Sequence, residues 1–144
     1  GYDFGGAIDD IWQKNNGELI IADIKATSKN NFNWSDTWNK YEYPKAYKRQ
    51  LEMYQWLFKK NGFKVANEAY IIYFNGKKSE QFFKNKLEFD VHVIKINCST
   101  DWVEQKIIDT VKLLTSNEFP KPSPSCEQCN YLKQRWKLSK KLNL

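Results

Sequence analysis

The chain has 144 residues, 41% hydrophobic and 28% charged, enough for one buried core of ordinary globular composition. No apolar run reaches membrane-spanning length and no charged-then-apolar leader opens the chain, so a membrane-bound or exported protein is not expected and a cytoplasmic one is. A net charge of +6 and an isoelectric point near 9.1 permit attraction to phosphate, although a chain so rich in Lys and Asn can owe that balance to coding composition as readily as to a binding surface. Three cysteines are too few and too scattered to suggest a disulfide framework, in keeping with a reducing compartment.

Two short strands are predicted first, Gly6-Ala7-Ile8-Asp9-Asp10-Ile11 and Glu18-Leu19-Ile20-Ile21-Ala22-Asp23-Ile24-Lys25, joined by Lys14-Asn15-Asn16-Gly17. A three-residue loop with Gly17 at positive φ pairs Lys14 with Glu18 and sets Asp9 opposite Asp23. A two-residue loop sets Asp10 there instead, and the pattern alone does not choose. Opposed Cβ atoms lie about 4.5 to 5.5 Å apart, so two carboxylates there repel and want a cation between them. Alternation puts Leu19, Ile21, Asp23 and Lys25 on one side of the second strand. An acid and a lysine on an otherwise apolar strand are costly to bury unless paired or metal-bound. Carboxylates suit a hard cation such as Mg²⁺ or Mn²⁺, and Lys25 can then orient or help deprotonate the attacking water. A solvated surface hairpin is the plain alternative.

The stretch Lys29 to Tyr43 carries Phe32, Trp34, Trp38, Tyr41 and Tyr43 among Lys29, Asn30, Asn31, Asn33, Lys40 and Glu42. It reads as a loop at the mouth of the site. Aromatics interleaved with cations suit stacking on single-stranded bases, and Trp34 and Trp38 are the preferred platform; the alternative is that the tryptophans fold back on the core. A helix is predicted over 44 to 61, opened by Pro44 and stopped at Asn61-Gly62. Tyr47, Leu51, Tyr54 and Leu57 or Phe58 form its apolar stripe, with Lys45, Lys48, Arg49, Glu52 and Lys59 largely elsewhere. Gln50 and Tyr54, four apart, are surface neighbours.

Glu68 to Phe74 is a third strand, closed by Asn75-Gly76-Lys77, and Leu87 to Asn97 its partner, carrying the lone histidine, His92, in a structural or solvated role. Asp101 and Glu104 have capping-box spacing, with Thr100 or Ser99 as other caps, before a helix bearing Trp102, Ile107, Ile108, Val111 and Leu114. The order strand, strand, helix, strand, strand, helix indicates an α/β sandwich around a mixed central sheet. Residues 120–144 read as an extended connector with Pro120, Pro122 and Pro124, followed by a basic helix carrying Lys133, Arg135, Lys137, Lys140 and Lys141. Within it, Cys126-Glu127-Gln128-Cys129 is half of a four-ligand metal site, and Cys98 is too isolated to complete it.

The motifs in this order resemble the RecB-like branch of the PD-(D/E)xK nuclease superfamily. Its G-x-I-D strand, D-x-K strand and Q-x-x-x-Y helix correspond to Gly6-Ala7-Ile8-Asp9, Asp23-Ile24-Lys25 and Gln50-Leu51-Glu52-Met53-Tyr54. The resemblance covers about residues 1 to 131. It implies a restriction-endonuclease-like α/β core, selects Asp9 over Asp10 as first metal ligand, and adds Asp23 and the Ile24 main-chain carbonyl. Gln50 and Tyr54 would hold the site and the DNA backbone, with Tyr54 positioning. Lys29, Trp34, Trp38, Lys40, Lys48 and Arg49 are the expected nucleic-acid contacts. The cysteine segment resembles the iron–sulfur motif of some members, continuing C-x-Y-x-x-x-C, but keeps only Tyr131 and ends in Arg135, so no iron–sulfur cluster is expected. Few residues precede the first strand, whereas the branch has upstream helices that supply another metal-site residue; residues 1–144 therefore read as one nuclease-like domain without those helices, either a fragment of a longer chain or a minimal core.

The expected protein is a Mg²⁺- or Mn²⁺-dependent deoxyribonuclease of repair, recombination or replication. Its partners would be DNA, single-stranded by the aromatic reading, and a helicase or replication complex. A silent nucleic-acid-binding or protein-interaction module of the same fold is the alternative, against which intact Asp9, Asp23 and Lys25 argue.

Overall fold

In the computed structural model the described residues are 1–78 and 85–142. The elements are β1 (Asp10–Gln13), β2 (Leu19–Thr27), α1 (Trp34–Lys40), α2 (Tyr43–Lys60), β3 (Glu68–Gly76), β4 (Phe89–Asn97), α3 (Val103–Thr115) and α4 (Glu127–Leu142). The chain divides into two compact units, 1–107 and 108–144.

The first unit is built on a four-stranded sheet in the order β1-β2-β3-β4. β1 and β4 run antiparallel to their neighbours, and β2 and β3 run parallel, joined through α1 and α2. This is the mixed α/β sheet expected of a restriction-endonuclease-like fold. The hairpin loop is the three-residue form: Gly17 has φ +80°, its N–H donates to the Lys14 carbonyl at 2.9 Å, and the Lys14 N–H donates to the Glu18 carbonyl at 2.9 Å. Pairing of Asp10 with Ala22 and of Gln13 with Leu19 continues that register. β1 starts at Asp10, four residues later than the sequence pattern indicated. The Asp9 carboxylate, instead of the chain's next carbonyl, accepts the Ile24 amide at 2.8 Å, which ends the ladder.

α2 lies over one sheet face and closes the core of Ile21, Leu51, Val65, Ala69, Ile71, Tyr73 and Ile96. It begins and ends where the punctuation places it, with Pro44 in its first turn, Asn61 as C-cap and Gly62 at φ +83°. Its polar stripe is not all solvated. Glu52 is 4% exposed; it accepts the Ser99 amide at 3.0 Å and the Trp102 indole N–H at 2.8 Å, tying α2 to the lead-in of α3. Gln55 is fully buried and donates to the carbonyls of Ala66 and Glu68. His92 keeps a structural place on β4, its ring 4.8 Å from that of Phe32.

Residues 34–40 are helical, which corrects the reading of 29–43 as a loop. Asn33 caps the helix, its side chain accepting the Asp36 N–H at 3.2 Å. The second unit begins within α3, ahead of the proline stretch, and its α4 bears the basic residues; residues 143 and 144 of the expected helix lie outside the described ones. Here Cys126 and Cys129 are joined in a disulfide that the cysteine count did not suggest. Three residues apart at the start of α4, their Cα atoms are 5.3 Å from each other, within reach of a bridge.

Candidate active site

β2 turns Asp23 and Lys25 toward α2, and the register carries Asp9 across from Asp23. Asp23 is 3% exposed. Its Oδ2 lies 2.6 Å from Lys25 Nζ, a close ion pair between two partly or fully buried groups. Burial pushes the Asp23 carboxyl above its ordinary value; Lys25 pulls it back and the Asp9 carboxylate adds to the rise. Asp10 is spoken for elsewhere, accepting from the Ile11 amide at 2.8 Å and the Trp12 indole at 2.9 Å.

Lys25 Nζ also donates to Gln50 Oε1 at 3.3 Å and sits 4.9 Å from the Tyr47 ring centroid. The Gln50 Nε2 in turn donates to Tyr54 Oη at 3.0 Å. One chain of contacts therefore runs Asp23, Lys25, Gln50, Tyr54. It returns to the first strand segment through Gly6, where an added Cβ would stand 2.6 Å from Tyr54 Cε1. Only a residue without a side chain lets the lead-in to β1 lie against that ring.

Six of the expected site residues thus converge: Asp9, Asp23, Ile24, Lys25, Gln50 and Tyr54. The expected nucleic-acid contacts do not join them as a group. Trp34 and Trp38 are half-buried, packed on the core cluster and on each other at 5.8 Å, with Trp34 6.0 Å from Tyr73. That gives both indoles a packing role, the alternative that the sequence reading held beside base stacking. The Asn33-x-x-Asp36 spacing and the two tryptophans four apart were the signals of a helix here. Lys40 lies over Tyr41 in the last turn of α1. Lys48 is 3.7 Å from Glu52, and Arg49 is exposed on α2. Lys29 is held by tyrosines. Tyr47, from α2, and Tyr73, from the parallel register, lie beside Lys25, and Tyr43 packs on Tyr47; their place at the site was not foreseen, because they carry no motif spacing.

The donor set fits a hard divalent cation. It offers two opposed carboxylates, one of them buried, while among the described residues no three His, Cys, Asp or Glu side chains converge. A cation held by few protein oxygens keeps several waters, which is the habit of Mg²⁺.

The model of the PD-(D/E)XK nuclease superfamily matches residues 1–134. The chain belongs to that superfamily. Its members are nucleases that generally use divalent metals such as Mg²⁺, so nucleic acid is the substrate class of this family. No curated protein and no solved structure matches the chain. Among the described residues no helix is long and apolar enough to cross a membrane.

Proposed function

We propose that this protein is a divalent-metal-dependent deoxyribonuclease with Asp9, Asp23, Lys25, Gln50 and Tyr54 as its working residues. The observation that carries the reading is the buried Asp23 carboxylate, opposed to Asp9 and 2.6 Å from Lys25. Asp9, Asp23 and the Ile24 carbonyl would hold Mg²⁺ or Mn²⁺. When bound, such an ion supplies charge stabilisation for phosphoryl transfer and an activated water at neutral pH. Lys25 aligns that water and faces the charge that develops on the phosphate. Gln50 fixes the Lys25 ammonium, and Tyr54 fixes Gln50, so both act by position.

The reading extends to a cytoplasmic enzyme acting in repair, recombination or replication beside a helicase-type partner, on the strength of the RecB-like order of its motifs. It includes no iron–sulfur centre, supported by Arg135 at the position of the last cluster cysteine. The experiment is degradation of labelled linear and circular DNA with Mg²⁺ or Mn²⁺ and then EDTA. Metal-dependent cleavage lost in Asp23→Asn is the expected result. A wild-type protein that binds DNA without cutting it under any of these conditions overturns the reading in favour of a silent binding module.

A further inference from the structure

Four residues after Lys25 the chain holds a second lysine that the mechanism leaves unused. Lys29 follows the end of β2, and its backbone is gripped on both sides by one buried residue of β3. Asn75 Oδ1 accepts the Lys29 N–H at 2.8 Å, and Asn75 Nδ2 donates to the Lys29 carbonyl at 3.0 Å. Ser28 adds a bond from its hydroxyl to the Gly76 carbonyl at 3.0 Å. The ammonium is fixed as firmly: it donates to Tyr43 Oη at 2.6 Å and stands 4.8 and 5.0 Å from the ring centroids of Tyr41 and Tyr43.

What this ammonium lacks is a counter-charge. Lys25, Lys45, Lys48 and Lys77 each lie within ion-pair distance of a carboxylate, whereas among the described residues Lys29 has only phenol and ring partners. A half-buried cation whose backbone and head group are both immobilised, without an anion, is arranged to receive one. Its position says which. The Tyr43 ring packs on Tyr47 at 5.5 Å, and the Tyr47 ring underlies Lys25, so two tyrosines separate the Lys29 ammonium from the reacting site. Tyr73, set beside Lys25 by the parallel register, has its phenol pushed up by burial and by the Tyr43 and Tyr47 hydroxyls.

We propose that Lys29, with the Tyr43 hydroxyl, binds a non-scissile backbone phosphate of the same DNA strand, and that Asn75 is the residue that positions it. The proposal rests on the nuclease reading for which phosphate is cut, but the binding it predicts is measurable without cutting. The test is fluorescence anisotropy of a labelled single-stranded oligonucleotide in EDTA across a range of salt, with thermal melting to verify folding. Lys29→Gln should weaken binding roughly fivefold at 0.1 M salt and lower the slope of log affinity against log salt by about 0.7, the value for one lost phosphate contact on a single strand. Lys29→Arg should keep the slope, and Tyr43→Phe, which keeps the ring, should weaken binding by a smaller factor. Lys45→Gln, which removes an exposed lysine already paired with Glu42, should leave the slope unchanged. A Lys29→Gln protein with the wild-type slope and affinity overturns the proposal, as does a wild type that does not bind the oligonucleotide. Failure of the nuclease reading shows differently, as intact binding without metal-dependent cleavage.

Discussion

Asp23→Asn tests the site through both its chemistry and its stability. The substitution keeps shape and removes the charge of the one carboxylate that is 3% exposed. Cleavage should fall by at least about a hundredfold, because even the outer partners of metal ligands typically cost 10- to 100-fold when lost. Stability should move the other way. In the metal-free protein the Asp23 carboxyl titrates above its ordinary 3.8, since burial and Asp9 together outweigh Lys25. The folded state then binds more protons than the unfolded one in the window above 3.8, so the wild type loses stability as pH rises through it, and the substituted protein does not. Relief of a directly opposed like-charge pair is worth about 0.2 to 1 kcal/mol, or roughly 1 to 5 °C in Tm for a chain of this size. The assay is melting in EDTA from about pH 3.5 to pH 8, paired with cleavage in Mn²⁺ at neutral pH. An Asp23→Asn protein that melts below wild type at neutral pH, or whose advantage is the same at every pH, refutes the electrostatic argument; retained cleavage refutes the site.

Gly6→Ala places a methyl group 2.6 Å from Tyr54 Cε1 and should cost about 1 to 3 kcal/mol while pushing Tyr54 off Gln50, so kcat falls more than KM rises in a cleavage assay. Replacing Trp34 and Trp38 together with alanine should lower Tm, by roughly half of the 3 to 5 kcal/mol per ring that full burial would give. An unchanged Tm with single-strand binding weakened by about 1 to 3 kcal/mol per ring would restore base stacking instead. Glu52→Gln leaves either the Ser99 amide or the Trp102 indole without its acceptor and should cost about 1 to 3 kcal/mol, seen as a lower Tm and a changed Trp102 emission with DNA binding intact.

The parts of this fold that were legible in the sequence are those set by local chemistry. Gly17 and Gly62 carry positive φ where a turn and a helix stop require it, whereas the hairpin register, left open between Asp9 and Asp10 by the sequence pattern, is decided by the three-residue loop that the structure adopts. Helix α2 obeys its own stripe and punctuation. The parts that were not legible depend on what comes from far along the chain. Glu52 reads as one more charge on a polar face until Ser99 and Trp102, about fifty residues on, deliver the donors that bury it. Asn75 reads as part of a turn signal, but it lies at the end of β3 as the clamp on Lys29, 46 positions away. For Trp34 and Trp38 the Asn and Lys neighbours left base stacking and packing on the core both open. The surface they cover, including Tyr73, belongs to a strand not yet reached in the chain.

One consequence of the topology gathers these residues into a single place. β2 and β3 are parallel, so their carboxyl ends lie at the same edge of the sheet, and the α1–α2 crossover must return α2 in the opposite sense over them. The contact between Lys29, just past the end of β2, and Tyr43, the first residue of α2, shows that the helix starts at that edge. Lys25, Lys29 and Asn75 come from the strand ends, and Tyr43, Tyr47 and Gln50 from the first half of the helix. The helix N-terminus adds its partial positive charge to the two lysines. Asp9 and Asp23 stand together at one point of this edge, while its other acids, Glu42 and Asp90, lie against Lys45 and Lys77. On the proposed reading the edge separates two tasks in space: the opposed acids would hold the metal, and the cations beyond them would take phosphates of the rest of the strand. Ligands of open α/β sheets generally bind at the carboxyl ends of parallel strands. In this chain that rule and the placement of Lys29 lead to the same edge, which supports the proposal that a lysine four residues beyond the D-x-K motif serves the nuclease site.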